Sequence, residues 1–254
     1  MNARSQTFNL TVESRQLKDA VSCLFHTILL HRSVGKFQYS TEGNYKVGSI
    51  GIEEVNCEFI DLTYVRVNSP ELKRAVQAEI DAFCNDAEER LRTAEKTDGC
   101  GTLRHAESSS SLPFLAFPLQ VIEARITLEF YQKRKRQWFQ PEEQLIWEIW
   151  QFNFEVVKLT DNDHFERMRE TVADSLSNKV LTICCAINKP QYLPKMPVRT
   201  ELPNIFDNSF SDCQPYLFRV SGHSPAVGLK QSQSTAILPS LSSAKELIKN
   251  TLFF

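Results

Sequence analysis

The sequence predicts an α+β fold in which three main helices pack on one face of a mainly antiparallel sheet. Apolar residues recur at helical spacing in three segments, and between these segments apolar and polar residues alternate as in strands. The order strand, helix, strands, helix, strands, helix, strands is typical of α+β proteins. The 254 residues, 42% of them hydrophobic, can form one good-sized core. We therefore predict a single domain over residues 1–254.

The first 67 residues predict a strand, a helix, a hairpin and a long strand. Phe8, Leu10 and Val12 alternate with polar residues, and Ser14 is the expected N-cap of a helix that ends near His31. Short apolar runs on either side of a polar turn predict a β-hairpin within residues 35–51. Residues 57–67 are apolar on both faces, which predicts a central strand covered on both sides.

The second and third helices have clear start signals. Ser69 followed by Pro70 predicts the start of the second, and Thr160 or Asp161 that of the third, which stops before Pro190. Strands are expected from Ile126, at 146–159, around 204–206 and at 216–220. Glycines and a serine run predict a mobile insertion at residues 97–125, and residues 221–243 are a low-complexity segment.

Composition argues against several functional classes. A net charge of -2 and a pI near 6.2 give no global attraction for nucleic acid. The seven cysteines form no CxxC pair, so we expect no metal and no cofactor, and a reducing compartment, which is the cytosol or the nucleus. One of Cys184 and Cys185 is expected to be a small core residue. No signal peptide opens the chain and no 18 successive residues are apolar, so we expect no membrane span.

The sequence also lacks a recognisable catalytic set. It contains no glycine-rich phosphate loop and no GxSxG elbow. His26 and His31 are five residues apart, which places them on different faces of a helix, and His31 is expected to cap the helix end as a partly cationic ring. We therefore predict a protein that is not an enzyme.

One pair of aromatic residues stands out because it interrupts a charged connection between two predicted strands. Trp138 and Phe139 follow four consecutive cations, residues 133–136. They either fold back onto their own sheet or form an anchor for a partner, a role in which tryptophan is common. The cations are consistent with a solvated strand end, a nuclear signal or a weak peripheral contact with a membrane surface.

Several uncommon strings resemble the autophagy-related protein 101 family of HORMA-domain proteins. They are Leu29-Leu30-His31-Arg32-Ser33-x-Gly35-Lys36-Phe37, Phe59-Ile60-Asp61-x-Thr63-Tyr64-Val65-Arg66-Val67, Leu128-Glu129-Phe130-Tyr131-Gln132-Lys133, Trp147-Glu148-x-Trp150, Tyr192-Leu193-Pro194-Lys195-Met196-Pro197, Gln214-Pro215-Tyr216-Leu217 and Leu247-Ile248-Lys249-Asn250-Thr251-Leu252. The resemblance implies a HORMA fold and an adaptor subunit of the autophagy-initiating kinase complex. It also implies that the chain binds and stabilises the HORMA domain of autophagy-related protein 13. The expected location is the cytoplasm, with recruitment to the preautophagosomal structure.

The resemblance further implies a Trp-Pro-Phe finger that recruits downstream autophagy factors. Trp138 matches the family tryptophan by its nine-residue distance from Trp147, but Phe139 follows directly and Pro141 comes later. We take Trp138, Phe139 and Pro141 as the finger. His31, Arg32 and Lys36, all in the first string, are further candidates for partner contact.

Two segments depart from the family pattern. Residues 97–125 are an insertion relative to it, and residues 222–240 replace its last strand. The Pro-rich C-terminal third is also consistent with an alternative function, a checkpoint-type HORMA module that captures a peptide.

Overall fold

The computed structural model describes residues 3–41, 44–98, 120–134, 143–159, 161–189, 193–196 and 198–222, without the side chains of 95–98 and 120. All of these residues lie in one compact unit that spans Met1–Ser224. Among the described residues, no helix is long and apolar enough to cross a membrane.

Three helices and ten strands are present in the described residues. In chain order they are β1 (Arg4–Glu13), α1 (Leu17–His31), β2 (Ser33–Val34), β3 (Phe37–Thr41), β4 (Asn44–Val47), β5 (Ile52–Asn56), β6 (Thr63–Val67), α2 (Pro70–Asp98), β7 (Gln120–Arg134), β8 (Glu143–Lys158), α3 (Asn162–Ile187), β9 (Gln214–Pro215) and β10 (Phe218–Ser221). Two 3-10 helices, Ser14–Gln16 and Arg199–Asn204, complete the set.

The main sheet has the strand order β1-β8-β7-β10. β1 is parallel to β8, and the other two pairings are antiparallel. β7 and β8 form its long central pair, with a bulge between Phe130 and Tyr131. This architecture confirms the predicted α+β class and its mainly antiparallel sheet.

The two faces of the main sheet differ sharply in polarity. Trp150, Phe152 and Phe154 alternate along β8 and are almost completely buried beneath the helices. On the opposite face the Asn153 amide donates to Asn9 Oδ1 at 2.8 Å, and Arg125 Nε donates to Asn153 Oδ1 at 2.9 Å. The helices therefore cover one face of the sheet, and polar side chains on the opposite face form hydrogen bonds with one another.

The helix starts follow local capping chemistry, with one correction. Leu72 N donates to Ser69 Oγ at 3.2 Å, and the Asp161 side chain accepts from the first turn of α3, so both predicted caps are confirmed. Ser14, however, is not the cap of the first helical segment. Glu13 caps it in a box with Gln16, whose Oε1 accepts from Glu13 N at 3.1 Å. Glu13 takes the cap position because its side chain accepts from the backbone, while the Gln16 side chain accepts from the backbone N–H of Glu13.

The hairpin predicted within residues 35–51 is confirmed as β3 and β4. Of the long central strand predicted at 57–67, only Thr63–Val67 is a strand, and it lies in a two-stranded sheet rather than at the centre of the main sheet. Cys57 N donates to Leu62 O at 3.0 Å, which closes a turn between β5 and β6 in a separate two-stranded sheet. Phe59 N donates to Asp19 Oδ2 at 2.8 Å, and its ring lies 6.4 Å from that of Phe165. The turn is apolar because it packs against α1 and α3. A buried turn and a buried strand give the same apolar pattern, so the sequence pattern alone cannot distinguish them.

The ends of the predicted insertion also change. α2 runs to Asp98 and β7 begins at Gln120, so residues 97–98 and 120–125 belong to regular elements. Residues 99–119 lie outside the described residues, as do 223–243 of the low-complexity segment. β10 pairs with Thr127–Phe130 of β7, in agreement with the strand predicted at 216–220. The family's last strand, which residues 222–240 replace, falls almost wholly outside the described residues.

Two smaller predictions need correction. Residues 199–204 form a 3-10 helix, and Phe206 makes an isolated bridge to Tyr216 rather than a strand. Neither Cys184 nor Cys185 is a core residue, because the first is half-buried and the second is exposed. Their helical run is amphipathic, and Ile183 and Ile187 take its buried positions.

Gly35, before β3, and Gly48, after β4, approach each other closely and offer a test of packing at this end of the hairpin. A Cβ on Gly35 would lie 1.9 Å from the carbonyl oxygen of Gly48, whereas a Cβ on Gly48 would meet nothing closer than 3.4 Å. We expect Gly35→Ala to lower the free energy of unfolding by about 1–3 kcal/mol, because backbone must move to admit the methyl group. Gly48→Ala, measured beside it by urea denaturation, should change stability much less. Equal losses in the two variants would contradict the close approach.

Candidate functional site

The predicted finger joins the ends of the two long central strands. The ladder between β7 and β8 extends to the pair Arg134 and Glu143. Trp138, Phe139 and Pro141 fall between them and lie outside the described residues. The structure thus fixes the two strand ends from which the finger segment departs, and the finger's role stays a prediction.

Arg32, a predicted partner contact, is a buried residue of the fold. It is 2% exposed, and Glu148 is 0% exposed. Arg32 Nε donates to Glu148 Oε2 at 2.6 Å and its Nη2 donates to Oε1 at 2.8 Å, which is a bidentate ion pair. These contacts point to an internal, positioning role for Arg32 rather than to an exposed binding group.

The ion pair and its neighbours join five parts of the chain. Arg32 follows the last residue of α1, and its Nη2 also donates to the carbonyl of Ile187 at the end of α3, at 2.9 Å. The Arg32 carbonyl accepts from Tyr216 N at 2.9 Å. Arg4 of β1 approaches Glu148 Oε1 at 3.7 Å and bonds to the carbonyl of Ala186. The ends of α1 and α3 are thereby held to β1, β8 and the segment after β9.

His31 and Lys36 are more accessible than Arg32. His31 lies in the last turn of α1 as predicted, but burial, followed by the neighbouring Arg32 charge, lowers its pKa and disfavours the cationic ring. Its Nε2 lies 3.6 Å from Cys184 Sγ of α3. The Lys36 ammonium donates to the carbonyl of Phe210. Both side chains are half-buried, and their contact with a partner stays a prediction.

Residues 205–217 are fastened to the rest of the fold by polar side chains that sequence analysis missed. Gln214 Oε1 accepts from Phe37 N at 2.8 Å. Ser69 Oγ donates to Asp212 Oδ1 at 2.7 Å, and Ser211 N donates to Glu71 Oε2 at 2.8 Å. Each contact joins residues more than 139 positions apart, so no spacing in the sequence signals it.

The outward face of α3 carries an apolar side chain that also escaped the sequence analysis. Leu181 is 63% exposed, and Asn178, Thr182 and Cys185 on the same face are exposed as well. The opposite side of the helix packs into the core through Met168, Leu176 and Ile183. An exposed leucine on a helix whose other face is fixed is a candidate contact for another protein.

Apart from the ion pair, His26 and two thiols packed in or against the described core are held in their neutral forms. Burial lowers the pKa of His26 to about 4 and raises the pKa of Cys57 and of Cys84 to about 12. The His26 ring stacks on Tyr64 with 6.0 Å between centroids. These environments favour packing over nucleophilic or acid–base chemistry. In the part of the chain that the structure describes, no group of three or more His, Cys, Asp or Glu could hold a metal ion.

Comparison with known proteins gives a consistent result. A family model described as Autophagy-related protein 101 matches residues 9–200. The chain is 36% identical over 252 residues to Autophagy-related protein 101 of Xenopus tropicalis, an alignment that covers 99% of each chain, and the Homo sapiens protein matches equally. The Arabidopsis thaliana protein is 25% identical over 157 residues, which is 61% of this chain and 54% of that protein.

The buried ion pair predicts an order among substitutions. Glu148→Gln should lower the free energy of unfolding by about 3–5 kcal/mol, because it leaves Arg32 and Arg4 without their carboxylate. Arg32→Met should cost less, since Glu148 retains Arg4. Chemical denaturation of the two variants beside wild type checks the order. A milder loss for Glu148→Gln than for Arg32→Met would contradict the shared carboxylate.

The neutral burial of His26 predicts acid-sensitive stability. The unfolded chain binds a proton at this residue below its ordinary pKa of about 6.5, while the folded chain does so only near 4, so stability is lost as the pH falls between these values. His26→Phe, which keeps an aromatic ring beside Tyr64, should reduce the loss between about pH 7.5 and about pH 5 by about 2 kcal/mol. His31 contributes in the same direction in both proteins and cancels in the comparison. Parallel stability curves would argue against a neutral buried His26.

Proposed function

Since this chain belongs to the autophagy-related protein 101 family and so has a role in autophagy, we propose that it is a non-enzymatic adaptor of the autophagy-initiating kinase complex. In this proposal it binds and stabilises the HORMA domain of autophagy-related protein 13 as a heterodimer. It recruits downstream autophagy factors through the finger formed by Trp138, Phe139 and Pro141. It acts in the cytoplasm at the preautophagosomal structure, the site where autophagosomes form.

The exposed Leu181 is the structural observation that best supports heterodimer formation. At 63% exposure it places an aliphatic side chain in water on a helix that is otherwise well packed. Burying such a side chain against a partner contributes about 1.5–3 kcal/mol to binding. The proposed surface for the partner HORMA domain is therefore the outward face of α3, with Leu181 near its centre.

The rigidity of α3 further supports this surface. Arg32 and Arg4 hold the carbonyls at its C-terminal end, and Arg169 Nε donates to Asp61 Oδ1 at 2.9 Å nearer its start. A helix fixed at both ends presents Leu181 without a large ordering cost on binding. A half-buried His31 beside Cys184 borders the same helix and is a candidate for a peripheral contact.

The burial environments in the core support a non-enzymatic role. His26 and the thiols of Cys57 and Cys84 are all neutral and packed, which suits a scaffold. The alternative of checkpoint-type peptide capture is less well supported. It requires residues 205–217 to move, and this segment is joined to distant elements through Gln214, Asp212 and the backbone of Ser211.

The proposed finger gains support from the stiffness of its base. β7 and β8 pair without interruption from Tyr131 with Ile146 to Arg134 with Glu143, so two hydrogen-bonded strands lead to the finger segment. An aromatic pair carried by such a base is suited to recognition of a partner. The adjacent cations of residues 133–136 allow a weak peripheral membrane contact as a secondary part of the proposal.

Separate variants test the two proposed surfaces. Leu181→Asp should weaken binding to the partner HORMA domain at least about tenfold, because a charge replaces an apolar contact. Val121→Asp is the matched control, since Val121 is also exposed, at 45%, but lies on the main sheet. Calorimetry at micromolar concentrations measures both. If wild type forms no complex, heterodimer formation is excluded, and if Leu181→Asp binds like wild type, the α3 surface is excluded.

Trp138→Ala and Phe139→Ala should retain the fold and the heterodimer and abolish autophagosome formation in cells that lack the native protein. Gln137→Ala and Gln140→Ala, which flank the pair, serve as controls and should act like wild type. Circular dichroism and co-purification report on fold and complex. If the aromatic variants unfold, these side chains belong to the core and the recruiting role is ruled out.

A further inference from the structure

A groove of about 660 Å³ lies where the ends of β7 and β8 meet the 3-10 helix Arg199–Asn204. Its apolar lining consists of Leu145, Ile146 and Trp147 from β8 and Ile205 after the 3-10 helix. The pairing of β10 with β7 ends at Phe130, and the groove begins just beyond, at Gln132. The end of β7, the start of β8 and the 3-10 helix therefore form the sides of this groove, next to the strand ends that lead to the finger segment.

Trp147 adds an unmet hydrogen-bonding requirement to this lining. It is 6% exposed, and its indole Nε1 has no hydrogen-bond partner among the described residues. Its ring is held by Tyr216 at 5.3 Å and Phe130 at 5.7 Å between centroids. The nitrogen has almost no exposed surface, and leaving such a donor unpaired costs about 1–3 kcal/mol. A small shift of the ring lets an acceptor in the groove offset that cost.

The charge on the rim indicates what kind of segment fits. Lys133 and Arg134 line one side and Glu201 the other, so the described charged lining has a net charge of 2 − 1 = +1. A ligand with acidic groups beside an apolar side chain complements both the rim and the floor.

We propose that this groove binds an extended, acidic and apolar segment of a partner protein, as a second contact beside the finger. An aliphatic side chain of the segment packs on Leu145 and Ile205, its carboxylates face Arg134, and a backbone carbonyl accepts from the Trp147 indole. The segment belongs to the factors that the finger recruits, so this inference rests on the proposed adaptor function. An extended chain suits the site because it presents side chains and carbonyls alternately.

Fluorescence polarisation with the full-length chain tests the proposal. The probe is a fluorescein-labelled peptide of roughly eight residues in which aspartate and leucine alternate, compared with a peptide that has lysine for aspartate. We expect the acidic probe to bind more tightly. Arg134→Glu should weaken it about fivefold and Glu201→Lys should strengthen it by a similar factor, because each reverses one rim charge. Lys189→Glu, at an exposed position beyond α3, matches the net charge change of Arg134→Glu and should have little effect.

The indole N–H signal of Trp147 locates the bound peptide. Of the three tryptophan signals in a spectrum of ¹⁵N-labelled protein, those of Trp138 and Trp150 are identified with Trp→Phe variants. We expect the Trp147 signal to shift with the acidic probe and the Trp150 signal to stay in place. A preference for the lysine peptide, unchanged affinity in both rim variants, or a fixed Trp147 signal would each overturn the groove assignment.

These outcomes are independent of the recruiting role of the finger. Peptide binding is measured without other autophagy factors, whereas Trp138→Ala is scored in cells. If the acidic peptide does not bind and Trp138→Ala abolishes autophagosome formation, only the groove proposal is rejected. If the peptide binds and Trp138→Ala supports autophagosome formation, only the finger proposal is rejected.

Discussion

The bidentate pair between Arg32 and Glu148 is the interaction on which the arrangement of this fold depends. Removing two charges from water costs several kcal/mol per ion, and the mutual attraction offsets this only where the remaining donors are also satisfied. Here Arg32 Nη2 also donates to the Ile187 carbonyl, and Arg4 approaches the Glu148 carboxylate. Because the ion pair is buried away from water, its two charges can be satisfied only within the protein. The elements α1, α3 and β8 must therefore meet at one place for the fold to be stable.

The same pair lies next to both surfaces to which we assign a function. The Arg32 guanidinium lies 5.7 Å from the centre of the Trp147 ring, so the side chain that orders the end of α3 also packs against the floor of the groove. A shift of Arg32 would move the helix that carries Leu181 and the tryptophan that lines the groove together. The two proposed binding surfaces therefore share Arg32 as a common buried neighbour.

Features with local determinants could be predicted from the sequence. The capping roles of Ser69 and Asp161 and the hairpin of β3 and β4 each follow from a few adjacent residues. The turn of residues 57–62 could not be predicted, because the apolar pattern there arises from packing against α1 and α3. The partnership of Arg32 with Glu148 spans 116 positions and leaves no periodic trace. Leu181 was missed because periodicity singles out the buried stripe of a helix and is silent about an apolar residue on its polar side.

The distribution of polar contacts explains why binding is expected at two places and not over the whole surface. On the open face of the main sheet, Thr11 Oγ1 donates to Glu155 Oε2 at 2.8 Å, and Asn9, Asn153 and Arg125 bond to one another. A partner docking there would have to replace hydrogen bonds that are already made, so little net energy remains. Leu181 and the Trp147 indole are in the opposite situation. Neither has such a contact within the described part of the chain, and for that reason we propose α3 and the groove as surfaces for recognition.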